Sequence, residues 1–451
     1  MLRSSIDWIL FSASDVRNAT RIFEAEDAGV RDELGFLAVH QVFSDYFFPG
    51  TSTQQTRLRY VFFVPWALEQ IAIDRKPKSV REQLPRAEQV LTKNLVTSYE
   101  NQLRTSGQRG IIGRRSINQL AVTPPSISYW TTLRRWGICH RPRAELLDEI
   151  QSELRTPKSQ LKLDDDGDRL IDELNRFDKR LPSCPDKRFH TSINTTVDFQ
   201  LLTNEQEFIY EKVVALPPVH LGVAVADQIC LFGKLASHLQ DHPGDAEYLD
   251  EVENCWDLVQ SPHFRNVLNN DDKQQLSAAR CFSALVYIGR ALYWATLETM
   301  REQDLTKRPK ATEIPPHDSR RHVTHLIGVL TEYRQDAMRV ELADGLGGQL
   351  LETRSQIALR LVLKATLKWL QKNNAKTPFT AGWHSEFDSI FEKAEWNRKG
   401  PKSKLTHEPN RRGGAVSGAP LAYPLEYRWN IAKRFLCDLA GYDSDAGSIG
   451  S

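Results

Sequence analysis

Apolar residues recur along most of this chain at spacings of three and four, and strict alternation is sparse, which predicts helices in nearly every segment. Ser12 and Ser14 offer N-caps for a helix reaching about Asp27. A second helix from near Arg31 carries Leu34, Leu37, Ala38, Val42 and Phe43 on one face and stops at Pro49-Gly50. Thr51 with Gln54, and Ser52 with Gln55, have capping-box spacing, so a new helix is expected there, running through Tyr60, Phe62, Phe63 and Trp66. A long helical pattern follows over 81–103. Residues 116–122 read as a short helix with Ile117, Leu120 and Ala121 inward. Thr123-Pro124 then predicts another, with Ile127, Trp130, Leu133 and Trp136 on one side and Gly137 as its stop. A capped helix opens at 202–207, and further patterns cover 220–240, 246–259, 272–303, 320–340, 352–373 and 425–440.

The expected class is therefore mainly α, in two domains, since 451 residues exceed one ordinary core. An N-terminal helical domain, 1–141, is joined by a charged connector, 142–200, to a C-terminal all-α domain, 201–396. Residues 397–424, rich in Lys, Arg, Gly and Pro, read as mobile, before a terminal helix and a disordered tail. No window approaches ~18 uncharged apolar residues and no signal-peptide pattern follows Met1, so no membrane partner is expected. Six scattered cysteines without paired spacing read as reduced thiols of a cytoplasmic protein.

Charge changes this picture. The chain carries only +1, yet residues 51–144 hold 16 Lys+Arg against 5 Asp+Glu, a balance of +11. Within them, 101–143 contain eight arginines and no Asp, Glu or Lys. Such segregation repels itself unless a polyanion or an acidic surface compensates. The helix pair expected over 114–138 fits a helix-turn-helix or winged-helix-like element, its second helix leaving Ser128, Thr132 and Arg135 on the face away from the first. Tyr129 and Arg134 flank that face; Arg114 and Arg115 precede it, and Arg109 and Arg141 bracket the whole. These nine residues form the expected nucleic-acid-binding set, with arginine suited to guanine and phosphate and the hydroxyls to phosphate. Two prolines replace the usual turn glycine and no wing strands follow, so an ordinary helix pair with solvated arginines is the competing reading.

A second candidate is the turn Pro49-Gly50-Thr51-Ser52-Thr53, with Arg57 and Arg59 beyond it, where a helix N-terminus could hold an anion. The commoner alternative is structural: the hydroxyls cap their own helix and Arg57 or Arg59 pairs with Asp32, Glu33 or Asp45. His238 with His242 and His322 with His325 have helical spacing but lack a third ligand, and 164–168 lacks the closing Glu of a calcium loop. No metal, cofactor or catalytic residue is assigned, because no nucleophile elbow, Walker motif or nuclease signature is legible. Tyr427-Arg428-Trp429 reads as an arginine packed between rings.

Several of these motifs also carry a resemblance. Trp8-Ile9-x-Phe11-Ser12, Arg31-Asp32-Glu33-Leu34-Gly35, Phe48-Pro49-Gly50-Thr51-Ser52-Thr53-x-Gln55-Thr56-Arg57-x-Arg59-Tyr60, Val64-Pro65-Trp66 and Tyr129-Trp130-x-x-Leu133-Arg134-Arg135-Trp136-Gly137-Ile138 resemble an uncharacterised bacterial family known only as a domain of unknown function. Tyr427-Arg428-Trp429 is similar too, although the likeness is dense only over the first third. Members of that family lie near helicases, nucleases and methyltransferases of anti-phage defence clusters, so the resemblance implies nucleic-acid work and transfers no catalytic residue. The combined expectation is a non-catalytic, DNA-binding accessory protein, DNA being favoured over RNA, with a protein partner such as a helicase or nuclease subunit. The alternatives are a scaffold that binds an acidic partner, and a metal-dependent nuclease or phosphoryl-handling enzyme centred on residues 31–59.

Overall fold

A computed structural model of the chain describes residues 34–76, 78–100, 103, 110–156, 176–193, 195–307, 319–373, 383–406 and 421–443. The helix expected over 12–27, the acidic run 164–168 and the C-terminal tail lie outside the described residues. Among those described, helices dominate and one pair of two-residue strands occurs, so the protein is mainly α. In chain order the elements are α1 (Leu37–Phe47), α2 (Tyr60–Asp74), α3 (Val80–Ser98), α4 (Pro125–Ser128), α5 (Trp130–Arg135), α6 (Arg143–Arg155) and α7 (Thr203–Val213). Then come β1 (Val219–His220), β2 (Val223–Ala224), α8 (Leu231–Asp241), α9 (Asn270–Lys307), α10 (Ser319–Ala337) and α11 (Gly345–Glu352). The last are α12 (Ile357–Lys372), α13 (Asp388–Lys399) and α14 (Trp429–Ala440).

The contacts divide the chain into two compact units, and the division is not sequential. Among the described residues, one unit comprises those within 38–283, 341–350 and 425–443; the other comprises those within 34–37, 284–340 and 351–424. In the first, α2 packs on α3 and α6, while α8 packs on α7 and α14. Eleven of the α2 residues are buried and cover every face, so this is a core helix. It ends at Arg75 in the left-handed region (φ 49°), whose N–H returns to the Ile71 carbonyl. The amphipathic α14 buries Trp429, Ala432, Phe435 and Leu436; it ends at Ala440 as expected, before Gly441 (φ 77°), but begins at Trp429 rather than at residue 425. The described residues of 142–200, a stretch expected as a connector, instead contribute to this unit's core: Leu146, Leu147 and Ile150 of α6 are buried, as are Phe189 and Phe199. High charge there conceals an apolar stripe.

The pattern over 220–240 also divides differently. Val219 pairs with Ala224 and His220 with Val223 in a hairpin, and α8 begins only at Leu231. Leu221 (φ 48°) and Gly222 (φ 87°) form its two-residue turn, which needs left-handed backbone at both positions.

In the second unit α12 packs on α13, and Trp369, Phe387 and Phe391 cluster between them. The buried carboxylate of Glu395 accepts the Tyr293 hydroxyl at 2.9 Å, the Ser403 hydroxyl at 3.0 Å and the N–H groups of Lys404 and Leu405. The beginning of the segment expected to be mobile is thereby held: Ser403, Leu405 and Thr406 are buried. Residues 407–420 of that segment lie outside the described residues. All six cysteines carry free thiols, five of them buried. Among the described residues no helix is long and apolar enough to cross a membrane.

Candidate nucleic-acid interface

The loop 49–59 is the polar hub of the first unit. Its donors and acceptors go to side chains far away in sequence, and for that reason no helix starts until Tyr60. Gln55 is fully buried and donates to the Ser128 carbonyl at 2.9 Å and to Thr132 Oγ1 at 2.7 Å, while its Oε1 accepts the Ser52 N–H. The Tyr129 hydroxyl accepts the Thr56 and Arg57 N–H groups and donates to the Arg57 carbonyl at 2.7 Å. Thr132 Oγ1 and Trp136 Nε1 donate to the Gly50 and Pro49 carbonyls. Gly50 lies in the left-handed region (φ 88°), and a Cβ there would stand 2.9 Å from Trp136 Nε1, so only glycine suits it.

Most of the anion-site candidates are consumed by this hub. Arg57 Nη2 lies 2.7 Å from Asp438 of α14, and Arg57 Nε donates to both oxygens of that carboxylate. Asp438 also accepts the Leu58 N–H at 2.7 Å. Burial raises the Asp438 carboxyl above its ordinary value, and the Arg57 cation acts against that rise. Arg59 is divided between Asp198 at 2.6 Å and Glu205 at 2.9 Å. Thr51 is buried and its hydroxyl donates to the Phe48 carbonyl; Ser52 is half-buried and Thr53 exposed. The internal pairing predicted for Arg57 and Arg59 is thus real, but its acids come from distant segments. Asp45 pairs instead with Arg428 at 2.7 Å, which also donates to the Thr51 carbonyl rather than packing between rings. Asp32 and Glu33 lie outside the described residues.

The helix-turn-helix expectation is corrected as well. Residues 116–122 form no helix: a single 3₁₀ turn, Arg114–Ser116, gives way to irregular chain. Of the three positions expected inward, Leu120 is 52% exposed, and Ile117 and Ala121 are only half-buried. The next segment breaks at Tyr129 into α4 and α5, of four and six residues. Ser128, Tyr129 and Thr132, expected on a groove-reading face, are buried in the hub. A helix too short to project and turned inward cannot enter a groove.

The arginines fare unequally. Arg109 lies outside the described residues. Arg141 is paired with Glu149 of α6, and Arg143 reaches the Ser126 hydroxyl at 3.2 Å. Arg134 is half-buried, whereas Arg135 is exposed and reaches the Gly222 carbonyl at 3.4 Å. Arg114 and Arg115 line an open groove of about 760 Å³ together with Thr56, Gly110, Ser116 and Val122, and no carboxylate is among its lining residues. The hub fixes this groove in place. Thr56 Oγ1 donates to the Gly110 carbonyl at 2.6 Å, and the Tyr60 hydroxyl accepts the Ile112 N–H at 3.0 Å.

Behind the groove stands Glu88 of α3, which the sequence reading passed over. Its Oε1 accepts the Ser126 N–H at 2.6 Å at the start of α4, and its Oε2 is buried without a hydrogen-bond partner. Burial raises its carboxyl to about 7, against the Ser126 bonds and the Arg143 charge. The signal was present: Glu88 falls on the same stripe as the buried Leu84, Leu91 and Leu95, where a charge is out of place. Elsewhere, His238 and His263 share the Asp245 carboxylate at 2.8 and 3.3 Å, and His325 bonds the Ala422 carbonyl. Among the described residues no three His, Cys, Asp or Glu side chains come together as a metal site.

Residues 3–149 match DUF6361, a family of unknown function. That stretch takes in the hub, Glu88 and the arginine-lined groove, and ends within α6. No curated protein and no solved structure matches the chain.

Proposed function

We propose that this protein docks on the sugar–phosphate backbone of nucleic acid, DNA in preference to RNA, through the groove bearing Arg114 and Arg115. The observation that supports this reading most is the lining itself: two guanidiniums, hydroxyls and glycine backbone, with no carboxylate among the lining residues, whereas Arg57, Arg59 and Arg141 are each paired with acids. Such a wall offers charge-assisted contacts to phosphate and no base-reading helix, so binding is expected to be sequence-tolerant. An accessory role in a bacterial antiviral system, beside a helicase or nuclease subunit, is proposed on the sequence resemblance of the first third alone.

Fluorescence anisotropy with a labelled duplex at low salt tests the reading. The double replacement Arg114→Ala, Arg115→Ala should weaken binding by about tenfold to a hundredfold, uniformly across sequences. Arg141→Ala should change it by less than about twofold, because that guanidinium is already held by Glu149 in a surface pair of small net worth. Equal losses in both variants would refute the assignment to the groove. Binding confined to an acidic protein partner, with no shift of DNA, would favour the scaffold alternative.

A further inference from the structure

A second concavity in the same unit, independent of the arginine groove, has the opposite chemistry. It is a cleft of about 450 Å³ between the loops preceding α7 and the first turns of α2, within the size range of small-molecule sites. Phe63, Trp66 and Phe189 form its aromatic wall and pack on one another with ring centroids 5.8–6.3 Å apart. Two carboxylates, Asp186 and Asp198, stand in the same lining. Each has one engaged oxygen. Asp186 Oδ1 accepts the Arg188 N–H at 2.9 Å, and Asp198 Oδ1 accepts Arg59 Nη1 at 2.6 Å and the Gln200 N–H at 3.0 Å. The Oδ2 atom of each makes no hydrogen bond to the described residues.

Arg59 is the only cation of the lining, and it is not available to an anion. Asp198 and Glu205 bracket its guanidinium, and the exposed Arg188 lies 3.4 Å from Asp186 Oδ1 outside the lining, so three carboxylates here face two guanidiniums, both already paired. An anionic ligand would meet two carboxylates and an already neutralised arginine. A cation bearing N–H donors would meet two unengaged carboxylate oxygens beside an aromatic wall whose Phe63 ring already carries the Arg59 guanidinium 5.7 Å from its centroid, surroundings that favour ammonium and guanidinium groups. Cys184, also in the lining, adds no charge: burial raises its thiol to about 11, so it stays protonated.

We propose that this cleft binds a small organic cation of the guanidinium or alkylammonium type, held by Asp186 and Asp198 against the Phe63, Trp66 and Phe189 wall. The cation could be a free molecule or the side chain of an arginine or lysine in a peptide. Isothermal titration calorimetry on the full chain separates these sources, using agmatine as the free probe and a short uncharged peptide with one arginine as the other. Saturable binding of agmatine is expected. Asp186→Asn, which keeps the turn to Arg188, should weaken it by about tenfold, the effect of one screened charge pair. Asp186→Lys should abolish it, while circular dichroism remains that of the parent, since Asp186 is on the surface. Binding of both probes points to a side-chain source, and binding of agmatine alone to a free cation; either supports the site. No saturable binding of agmatine, tighter binding of a dicarboxylate such as glutarate, or indifference to both Asp186 variants would overturn it.

Discussion

Arg57→Ala should destabilise the unit containing it by about 3–5 kcal/mol, the range for removing one partner of a buried ion pair. The cause is the charge left behind. Asp438 is buried, accepts the Leu58 N–H and loses the guanidinium that bonds both its oxygens. The variant should also acquire a pH dependence. With its folded value above the ordinary one, Asp438 takes up a proton on folding, so the variant's stability falls as pH rises through that interval. Urea unfolding from about pH 4 to about pH 8 reads both effects. Arg57→Leu combined with Asp438→Asn should recover part of the loss, because Asn still offers an acceptor to Leu58 and no charge remains buried. A single variant as stable as the parent would show that the ion pair does not hold the hub to α14.

Glu88→Gln should act in opposite directions at the two ends of the pH scale. The carboxyl is raised from 4.5 to about 7 by burial, so the folded protein holds a proton that the unfolded chain releases. Stability of the parent therefore declines as pH climbs from about 4.5 to about 7 and levels off above. Gln carries no charge to bury. The variant should be about 2–3 kcal/mol more stable than the parent at about pH 8. At about pH 4 it should be less stable by about 1 kcal/mol, since its amide N–H₂ takes the place of the unpartnered Oε2. Urea midpoints across that range give the crossing; parallel curves would mean that Glu88 is solvated and unshifted.

How far these features could be read from the sequence depends on whether their causes are local. Helix class, the end of the last helix at 440 and the internal pairing of Arg57 and Arg59 follow from spacing and from how caps and ion pairs distribute. The helix expected from Thr51 fails because Gln55, Thr56 and Leu58 bond to Ser128, Tyr129 and Asp438, partners between 70 and 380 residues away that no local window contains. The same long-range bonds bury Ser128, Tyr129 and Thr132, so hydroxyls that looked like groove readers are internal struts. Leu120 misleads in the other direction, being an apolar residue at helical spacing from Ile117 that stands in the open. The cation cleft was invisible because its walls come from segments beginning at Arg59, Cys184 and Thr196. Glu88, although passed over, had a local signal as a charge on an apolar stripe.

The measurement that bears most directly on polyanion docking is the salt dependence of DNA binding by the intact chain, followed by anisotropy on duplex and single-stranded probes. With Arg57, Arg59 and Arg141 already paired, roughly two to four phosphates can be neutralised, and the slope of log affinity against log salt should lie at about −2 to −4. Removing Arg114 and Arg115 should flatten it by about 2. No binding at the lowest salt, or an affinity indifferent to salt, would contradict a phosphate-directed surface.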